Sequence, residues 1–405
     1  MAVRDSAQYM ELDAVEVEIG GNYDQIRGVW RVKKIRIGII GAGLIGRQHL
    51  ENYAKLEGAE VVALCDTNQE QLRKTAEQFG VPHTYTDFRE LIQREDLDGV
   101  DVCLHNNLHA PITIAALEAG KHVYCEKPIA GSYADGQRML DAAKQHGKML
   151  HVQLSFLYHI ETLAAKTLIE EGKLGKLYHA RSTGHRRRGR PFVDGYATKE
   201  FNRKADASGG ALFDMGVYRI SQLLYLMGMP KVKTISGKTY QEVAMDEKRR
   251  EISGFDVEEL GVGFVRFEGG LTLDIIEAWA IHLNGFEGSS LVGNTGGVRF
   301  PGHTSQGETP FSYHTQLSDM DMDATFDLGY ANYRWHALRE NTDAYDSSQH
   351  HWIAALQGRV ELLPTAEIAL QTILVSEGIY LSDQLDREVT VDEVIASSKS
   401  LAIKL

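Results

Sequence analysis

The feature that most constrains this 405-residue chain is one stretch, Ile35-Arg-Ile-Gly-Ile-Ile-Gly-Ala-Gly-Leu-Ile-Gly46. The apolar run from Ile35 to Ile40 reads as a buried strand. It breaks at Gly41-Ala42-Gly43-Leu44-Ile45-Gly46, and a helical pattern follows. Glycines allow the tight turn and the close approach of backbone to a pyrophosphate. The new helix then turns its free N–H groups and positive dipole end toward the phosphates. Glycine is common, so G-x-G-x-x-G alone is weak evidence. Here it lies between a strand and a helix, where the mechanism needs it. After a second apolar run, Val61 to Cys65, comes Asp66, placed where a carboxylate takes the two hydroxyls of an adenosine ribose. An ordinary βα turn with an acidic surface residue is the weaker reading, because every part of the fingerprint is in place. The expected ligand is a dinucleotide, with Gly41, Gly43, Leu44, Ile45, Gly46 and Asp66 around it.

Composition narrows the partners. A formal charge of −13 argues against nucleic acid or an anionic membrane surface, both of which need a basic face. No apolar run approaches the ~20 residues of a membrane span, and Met1-Ala-Val-Arg-Asp-Ser6 has no signal-peptide core. The three cysteines, Cys65, Cys103 and Cys125, fall on expected core strands and read as small buried apolar residues, which suits a reducing, cytoplasmic setting. His151, His179, His185, His282, His350 and His351 show no metal-ligand spacing with cysteine or acid partners, so no metal is expected.

Residues 1–33 form an N-terminal extension in which Val15-Glu-Val-Glu-Ile19 alternates like one short strand. From 34 to 153, strands at 35–40, 60–65, 83–85, 100–104, 121–125 and 149–153 alternate with helices such as Asn68 to Phe79, His109 to Ala119 and Tyr133 to His146. That alternation predicts an α/β fold with a doubly wound parallel sheet, a Rossmann domain. Ligands of such sheets bind outside the carboxyl ends of the strands. The residues just after strands therefore matter, among them Asn106, His109, Glu126 and Lys127. Pro128 biases Lys127 toward an extended backbone, and a solvated loop lysine is the bland alternative for that position.

From 154 to 405 the pattern changes. A helix near 161–171 and a strand at 177–183 precede a basic loop, His185-Arg-Arg-Arg-Gly-Arg190, and a glycine-led helix, Gly209 to Met227. Strands at 231–239, 254–267, 271–281, 287–293 and 296–300 imply a second, mostly antiparallel sheet with one face open to water or to another subunit. Residues 301–345 show little periodicity and read as irregular. Helices at 350–356 and 366–384 close the chain, the second apolar nearly all round and so expected between layers, with these last helices packing back on the first domain.

Asp214 and Tyr218 stand four apart on the glycine-led helix, which places them on one face. If that face looks into the crevice they meet Lys127. Oxidation of a carbinol requires that the hydroxyl proton leave. A phenol alone is too weak an acid for that exchange, and a neighbouring ammonium lowers its pKa. The alternative is that Tyr218 packs and Asp214 is a buried structural acid. The arginines at 186, 187, 188 and 190 read as a solvated loop, a subunit contact or an anion clamp, with Arg187 or Arg188 as the one to touch a substrate. Trp279 and Trp352 read as core.

At this point the chain resembles the glucose-fructose oxidoreductase / inositol dehydrogenase / rhizopine-catabolism (Gfo/Idh/MocA) family. The resemblance covers about residue 34 to the C-terminus and rests on four stretches. These are Ile39-Ile-Gly-Ala-Gly-Leu-Ile-Gly-Arg-Gln-His49, Ala119-Gly-Lys-His-Val-Tyr-Cys-Glu-Lys-Pro128, Gly209-Gly-Ala-Leu-Phe-Asp-Met-Gly-Val-Tyr218 and Asp256-Val-Glu-Glu259. It implies a Rossmann domain followed by an α/β domain whose large open sheet serves oligomerisation, as a dimer or tetramer. It also implies a nicotinamide cofactor, NAD rather than NADP given Asp66, and a sugar, glycoside or polyol substrate. Catalytic roles carry over to Lys127 and Asp214. Tyr218 stands where most polyol dehydrogenases of the family have histidine, similar to members that oxidise pyranose sugars. Two segments depart from the family pattern: His105-Asn106-Asn107 replaces the usual Thr-Pro-Asn, and Ser155-Phe156-Leu157-Tyr158 replaces the usual Asn-Arg motif. Tyr158 and Arg187 join Lys127, Asp214 and Tyr218 as expected substrate contacts. Three functions fit: an NAD-dependent dehydrogenase acting on a ring hydroxyl of a sugar or glycoside, for example that at C3, a glycoside-cleaving enzyme that recycles tightly held NAD through transient oxidation and elimination, and a non-catalytic NAD sensor.

Overall fold

The computed structural model describes residues 23–26, 29–32, 34–304 and 307–405. The strand expected at Val15–Ile19 lies outside the described residues. Tyr23–Ile26 and Val29–Val32 pair as a short antiparallel hairpin.

The first sheet has six strands: β1 (Ile35–Ile40), β2 (Ala59–Cys65), β3 (His83–Tyr85), β4 (Gly99–Val102), β5 (His122–Cys125) and β6 (Leu150–Val152). Their order is β3-β2-β1-β4-β5-β6, and every pairing is parallel. The order reverses between β1 and β4, which opens a crevice at the carboxyl ends of these strands. The crossovers are α1 (Leu44–Tyr53), α2 (Gln69–Phe79), α3 (Phe88–Ile92), α4 (Asn106–Glu118) and α5 (Tyr133–His146). Their ends follow local chemistry. The Asn68 side chain accepts from Gln71 N at the start of α2, Ser132 does the same for Asp135 N at α5, and left-handed Gly80 and Gly147 close both helices.

The second sheet is built after α6 (Ile160–Glu170). It comprises β7 (Leu177–His185), β8 (Val232–Tyr240), β9 (Leu260–Phe267), β10 (Thr272–Ala278), β11 (Ser290–Gly293), β12 (Gly296–Arg299), β13 (Ser312–Leu317), β14 (Met320–Thr325) and β15 (Val389–Thr390). The order is β14-β13-β12-β11-β7-β10-β9-β8-β15. All neighbours are antiparallel except β7 and β10. Between β7 and β8 a π-turn, Leu212–Gly216, runs directly into α7 (Val217–Leu226).

Two sequence expectations are corrected here. Residues 254–259 are not strand; a helix at Glu247–Ser253, capped by Asp246, ends at left-handed Gly254 before β9 begins. Residues 301–345 are not irregular, since they carry a short hairpin, β13, β14 and the helix α8 (Leu328–Leu338). The helix α9 (Ser348–Leu356) lies on the first sheet. Its Trp352 is fully buried, and Tyr124 Oη on β5 donates to Ser348 Oγ at 2.8 Å. The last long helix, α10 (Thr365–Leu385), lies on β8 and β9, where Gly237 and Gly263 leave room for Ile379.

Candidate active site

The dinucleotide fingerprint occupies the β1–α1 turn. Gly41 has φ +109°, and a Cβ there would lie 2.2 Å from the Cys103 carbonyl oxygen; at Gly46 it would lie 1.8 Å from the Gly41 carbonyl oxygen. The fold itself therefore needs both glycines. Gly43 differs: a Cβ would meet no heavy atom within 4 Å. Its face is open at the N-terminus of α1, the space a bound phosphate group requires. Beside it Leu44 is exposed and Ile45 partly buried. Asp66, at the end of β2, accepts from Ala42 N and from Asn68 N, each at 2.8 Å, and so ties the turn to α2. These residues fit a dinucleotide: open backbone donors at a helix end with a fixed carboxylate at the neighbouring strand.

The next three candidates after the strands are engaged by the protein. Asn106 Nδ2 donates to Ala207 O at 2.7 Å, bridging to the second half of the chain. His109 is fully buried, its two ring nitrogens 2.7 Å from Pro128 O and 3.0 Å from Leu104 O. Its ring braces the Glu126-Lys127-Pro128 turn from beneath instead of facing the crevice. Glu126 is buried as well; one carboxylate oxygen takes the Lys127 backbone N–H at 2.9 Å, the other meets His49 Nε2 at 2.9 Å.

Lys127, Asp214 and Tyr218 converge across the two halves. Lys127 Nζ donates to Asp214 Oδ1 at 3.0 Å, reaches the Asp214 carbonyl at 3.3 Å and stands 4.8 Å from the centre of the Tyr218 ring. Asp214 lies within the π-turn, so the two side chains are not on a regular α-helical face. The extra residue in the turn still lets both meet one amine, and such turns are frequent at functional sites. The other Asp214 oxygen accepts from Trp279 Nε1 at 2.9 Å, with the Arg186 guanidinium 3.7 Å away. Phe156 stacks on Tyr218 with ring centres 5.2 Å apart.

The charges set the protonation. Burial favours the neutral amine of Lys127, but Tyr218, Asp214 and Glu126 outweigh it and hold the ammonium above its ordinary range. Burial opposes ionisation of Asp214 too, and Lys127 overcomes it, so the carboxylate stays charged. Tyr218 corrects the sequence expectation: burial raises its pKa, and the opposing pull of Lys127 does not reverse that. The phenol is held protonated by the protein alone.

Two expected substrate contacts stand elsewhere. Tyr158 is buried in an aromatic cluster with His151 and His351, not at the Lys127 cluster, because the short 3₁₀ turn Ser155–Tyr158 sends Phe156 there instead. Arg187 is exposed, whereas Arg186 lies over the Tyr196 ring and beside Asp214. Arg190 is not a loop cation at all; it is buried, paired with Asp194 at 3.0 Å and Glu259 at 3.1 Å. Sequence reasoning missed Phe156, Arg186, Tyr196 and the hydrogen-bonding role of Trp279, since nothing in their spacing marks them.

His49, Asp101 and Cys103 form a buried group whose ligand-type atoms lie within 4.8 Å of one another. Hydrogen-bond distances of 2.9–3.3 Å already link these side chains, and burial holds the Cys103 thiol protonated. That suits a hydrogen-bonded network better than a metal cage, which needs the thiolate.

Residues 35–154 match the family described as "Oxidoreductase family, NAD-binding Rossmann fold", and residues 162–299 match the Gfo/Idh/MocA C-terminal domain. The D-glucoside 3-dehydrogenase of Escherichia coli K12 is 28% identical over 278 residues, 66% of this chain and 78% of that protein. The myo-inositol 2-dehydrogenase of Thermotoga maritima is 32% identical over 194 residues, and there the match spans about half of either chain, 48% of this one and 55% of that one. Levoglucosan dehydrogenase, solved with NADH and L-sorbose, superposes with a TM-score of 0.73 over 89% of this chain and 99% of that one, at 22% identity, which establishes a shared fold.

Proposed function

Because this chain belongs to the Gfo/Idh/MocA oxidoreductase family, we propose that it oxidises a ring hydroxyl of a sugar or glycoside, with NAD as the hydride acceptor. The hydroxyl at C3 of a pyranoside is the favoured one, supported by the relationship to a glucoside 3-dehydrogenase and by Tyr218 in place of a histidine. The observation that carries the reading is the meeting of Lys127, from the turn after β5, with Asp214 of the π-turn and Tyr218 of α7.

Gly43, the N-terminus of α1 and Asp66 would hold NAD, which supplies a two-electron acceptor for the carbinol hydrogen. The chain's own residues handle the rest. Lys127 donates a hydrogen bond to the reacting oxygen and carries positive charge toward the alkoxide character that develops there. Asp214 fixes the amine, and Trp279 and Arg186 fix Asp214. Tyr218 exchanges the hydroxyl proton: as a phenolate it accepts it in oxidation, as a phenol it returns it in reduction. Phe156 and the Tyr218 ring exclude water on one side. The open face of the nine-stranded sheet supports association of copies into a dimer or tetramer.

The test is a screen of NAD reduction with pyranoses, glycosides, inositols and linear polyols. NADH formation with a pyranose or glycoside supports the reading, and formation with inositols alone overturns it. Conversion of a glycoside without accumulation of NADH favours the recycling, elimination chemistry over net dehydrogenation.

A further inference from the structure

Behind the Lys127 cluster lies a buried chain of charged groups that reaches it through Glu126. His49 sits on α1, the helix that opens with the phosphate-binding turn. Its Nδ1 is 2.9 Å from Asp101 Oδ2 on β4, and its Nε2 is 2.9 Å from Glu126 Oε1. The second Glu126 oxygen holds the Lys127 backbone N–H. All three side chains are nearly inaccessible to solvent.

The geometry dictates the proton count. A neutral imidazole carries one N–H and one lone pair. A carboxylate oxygen lies at hydrogen-bond distance from each nitrogen, so a neutral ring between two anions would point its lone pair at one of them. Two carboxylates on opposite nitrogens call for an imidazolium that donates to both. The groups facing the ring are Asp101 and Cys103 from β4 and its exit, Tyr124 and Glu126 from β5 and its exit, and Tyr53 from α1 beside Asp101. The two acids outnumber any other charge there. Burial lowers the His49 pKa, yet these neighbours carry it above the ordinary histidine value.

We infer that His49 is a positioning residue, a cationic strut that couples the helix bearing the dinucleotide turn to the placement of Lys127. This rests on Lys127 being the substrate-side amine. Seating a dinucleotide against α1 then fixes His49, His49 fixes Glu126, and Glu126 fixes the backbone from which the amine projects. Without the strut, Asp101 and Glu126 face each other as buried like charges, and the Lys127 turn loses its anchor.

The test uses the full chain carrying His49→Gln, with chemical labelling of Lys127 by an amine reagent, mapped by mass spectrometry, and NADH affinity from fluorescence titration. In the parent protein Lys127 is paired and shielded, so it labels slowly. The expected result is labelling faster by at least about fivefold in His49→Gln, with NADH affinity held within about threefold. Unchanged labelling overturns the strut, and so does a fall in NADH affinity as large as the gain in labelling, which marks general loosening. Should His49→Gln fail to fold, His49→Gln with Asp101→Asn removes the unpaired carboxylate and carries the same measurement. Both readouts are independent of turnover. A strut that passes while no sugar is oxidised counts against the proposed reaction alone.

Discussion

Replacing Lys127 with methionine isolates the amine. Methionine keeps most of the apolar stem and removes the charge and three donors. In the structure that deletes the 3.0 Å contact to Asp214 and the cation beside the Tyr218 ring. A group that transfers or steers a proton in the transition state contributes about 10²- to 10⁴-fold, which corresponds to roughly 3–5 kcal/mol of barrier. Turnover should fall by that factor. Stability should fall less than the ~3–5 kcal/mol seen when a buried ion pair loses one partner outright, because Trp279 Nε1 still holds Asp214 at 2.9 Å and Arg186 remains 3.7 Å away. The dinucleotide turn lies on other elements, so NADH affinity should stay close to that of the parent. The assay is the initial rate of NADH formation with the best substrate of the screen, paired with NADH fluorescence titration and thermal unfolding. Turnover within about threefold of the parent in a folded, NADH-binding variant would refute the role given to the amine.

Other substitutions separate the remaining roles. Tyr218 is held protonated by burial, so oxidation, which needs the phenolate, should accelerate as pH rises into the alkaline range, while ketone reduction slows. Tyr218→Phe should flatten both limbs, and an unchanged profile would exclude the phenol. Gly46→Ala should unfold or misassemble the first domain, because its Cβ would lie 1.8 Å from the Gly41 carbonyl oxygen. Gly43→Ala, with open space around it, should fold normally and lose NADH affinity. Thermal unfolding and NADH titration of the two variants distinguish a structural glycine from a ligand-facing one. Glu377, on α10, has its carboxyl pushed up to about 7, by burial first. A carboxyl raised above its unfolded value favours folding at low pH, and that advantage is lost as pH rises from its unfolded value through about 7. Glu377→Gln should therefore raise Tm at about pH 8 and leave it nearly unchanged at about pH 4. A gain at the acidic end alone would reverse the sign.

The first sheet was legible because its strands are buried on both faces and read as short continuous apolar runs, as in Ile35–Ile40 and Val61–Cys65. The glycine turn, the place of Asp66 at the end of β2 and the helix bearing Tyr218 were legible from spacing, whereas Asp214 falls in the π-turn ahead of that helix. What failed did so for identifiable reasons. β13 and β14 lie at the end of the sheet and bury no residue, so β13 carries no apolar face and the Met320-Asp-Met-Asp alternation of β14 is too short and too exposed to stand out from a loop. α8 buries no residue, so it carries no apolar stripe. The π-turn at Leu212–Gly216 is one residue's departure from an otherwise helical pattern. His49 closes one of the stretches that carry the resemblance, but its spacing shows no role, since its partner Glu126 is 77 positions away. The basic loop misled because charge alone does not reveal direction: Arg190 points inward, Arg186 toward Asp214, and Arg187 into solvent.

The most direct measurement is a crystal structure of the protein with NADH and the best sugar of the screen. One ring hydroxyl oxygen should lie within hydrogen-bonding distance of both Lys127 Nζ and Tyr218 Oη, with its carbon facing the nicotinamide. A sugar bound with either group turned away from it would contradict the account.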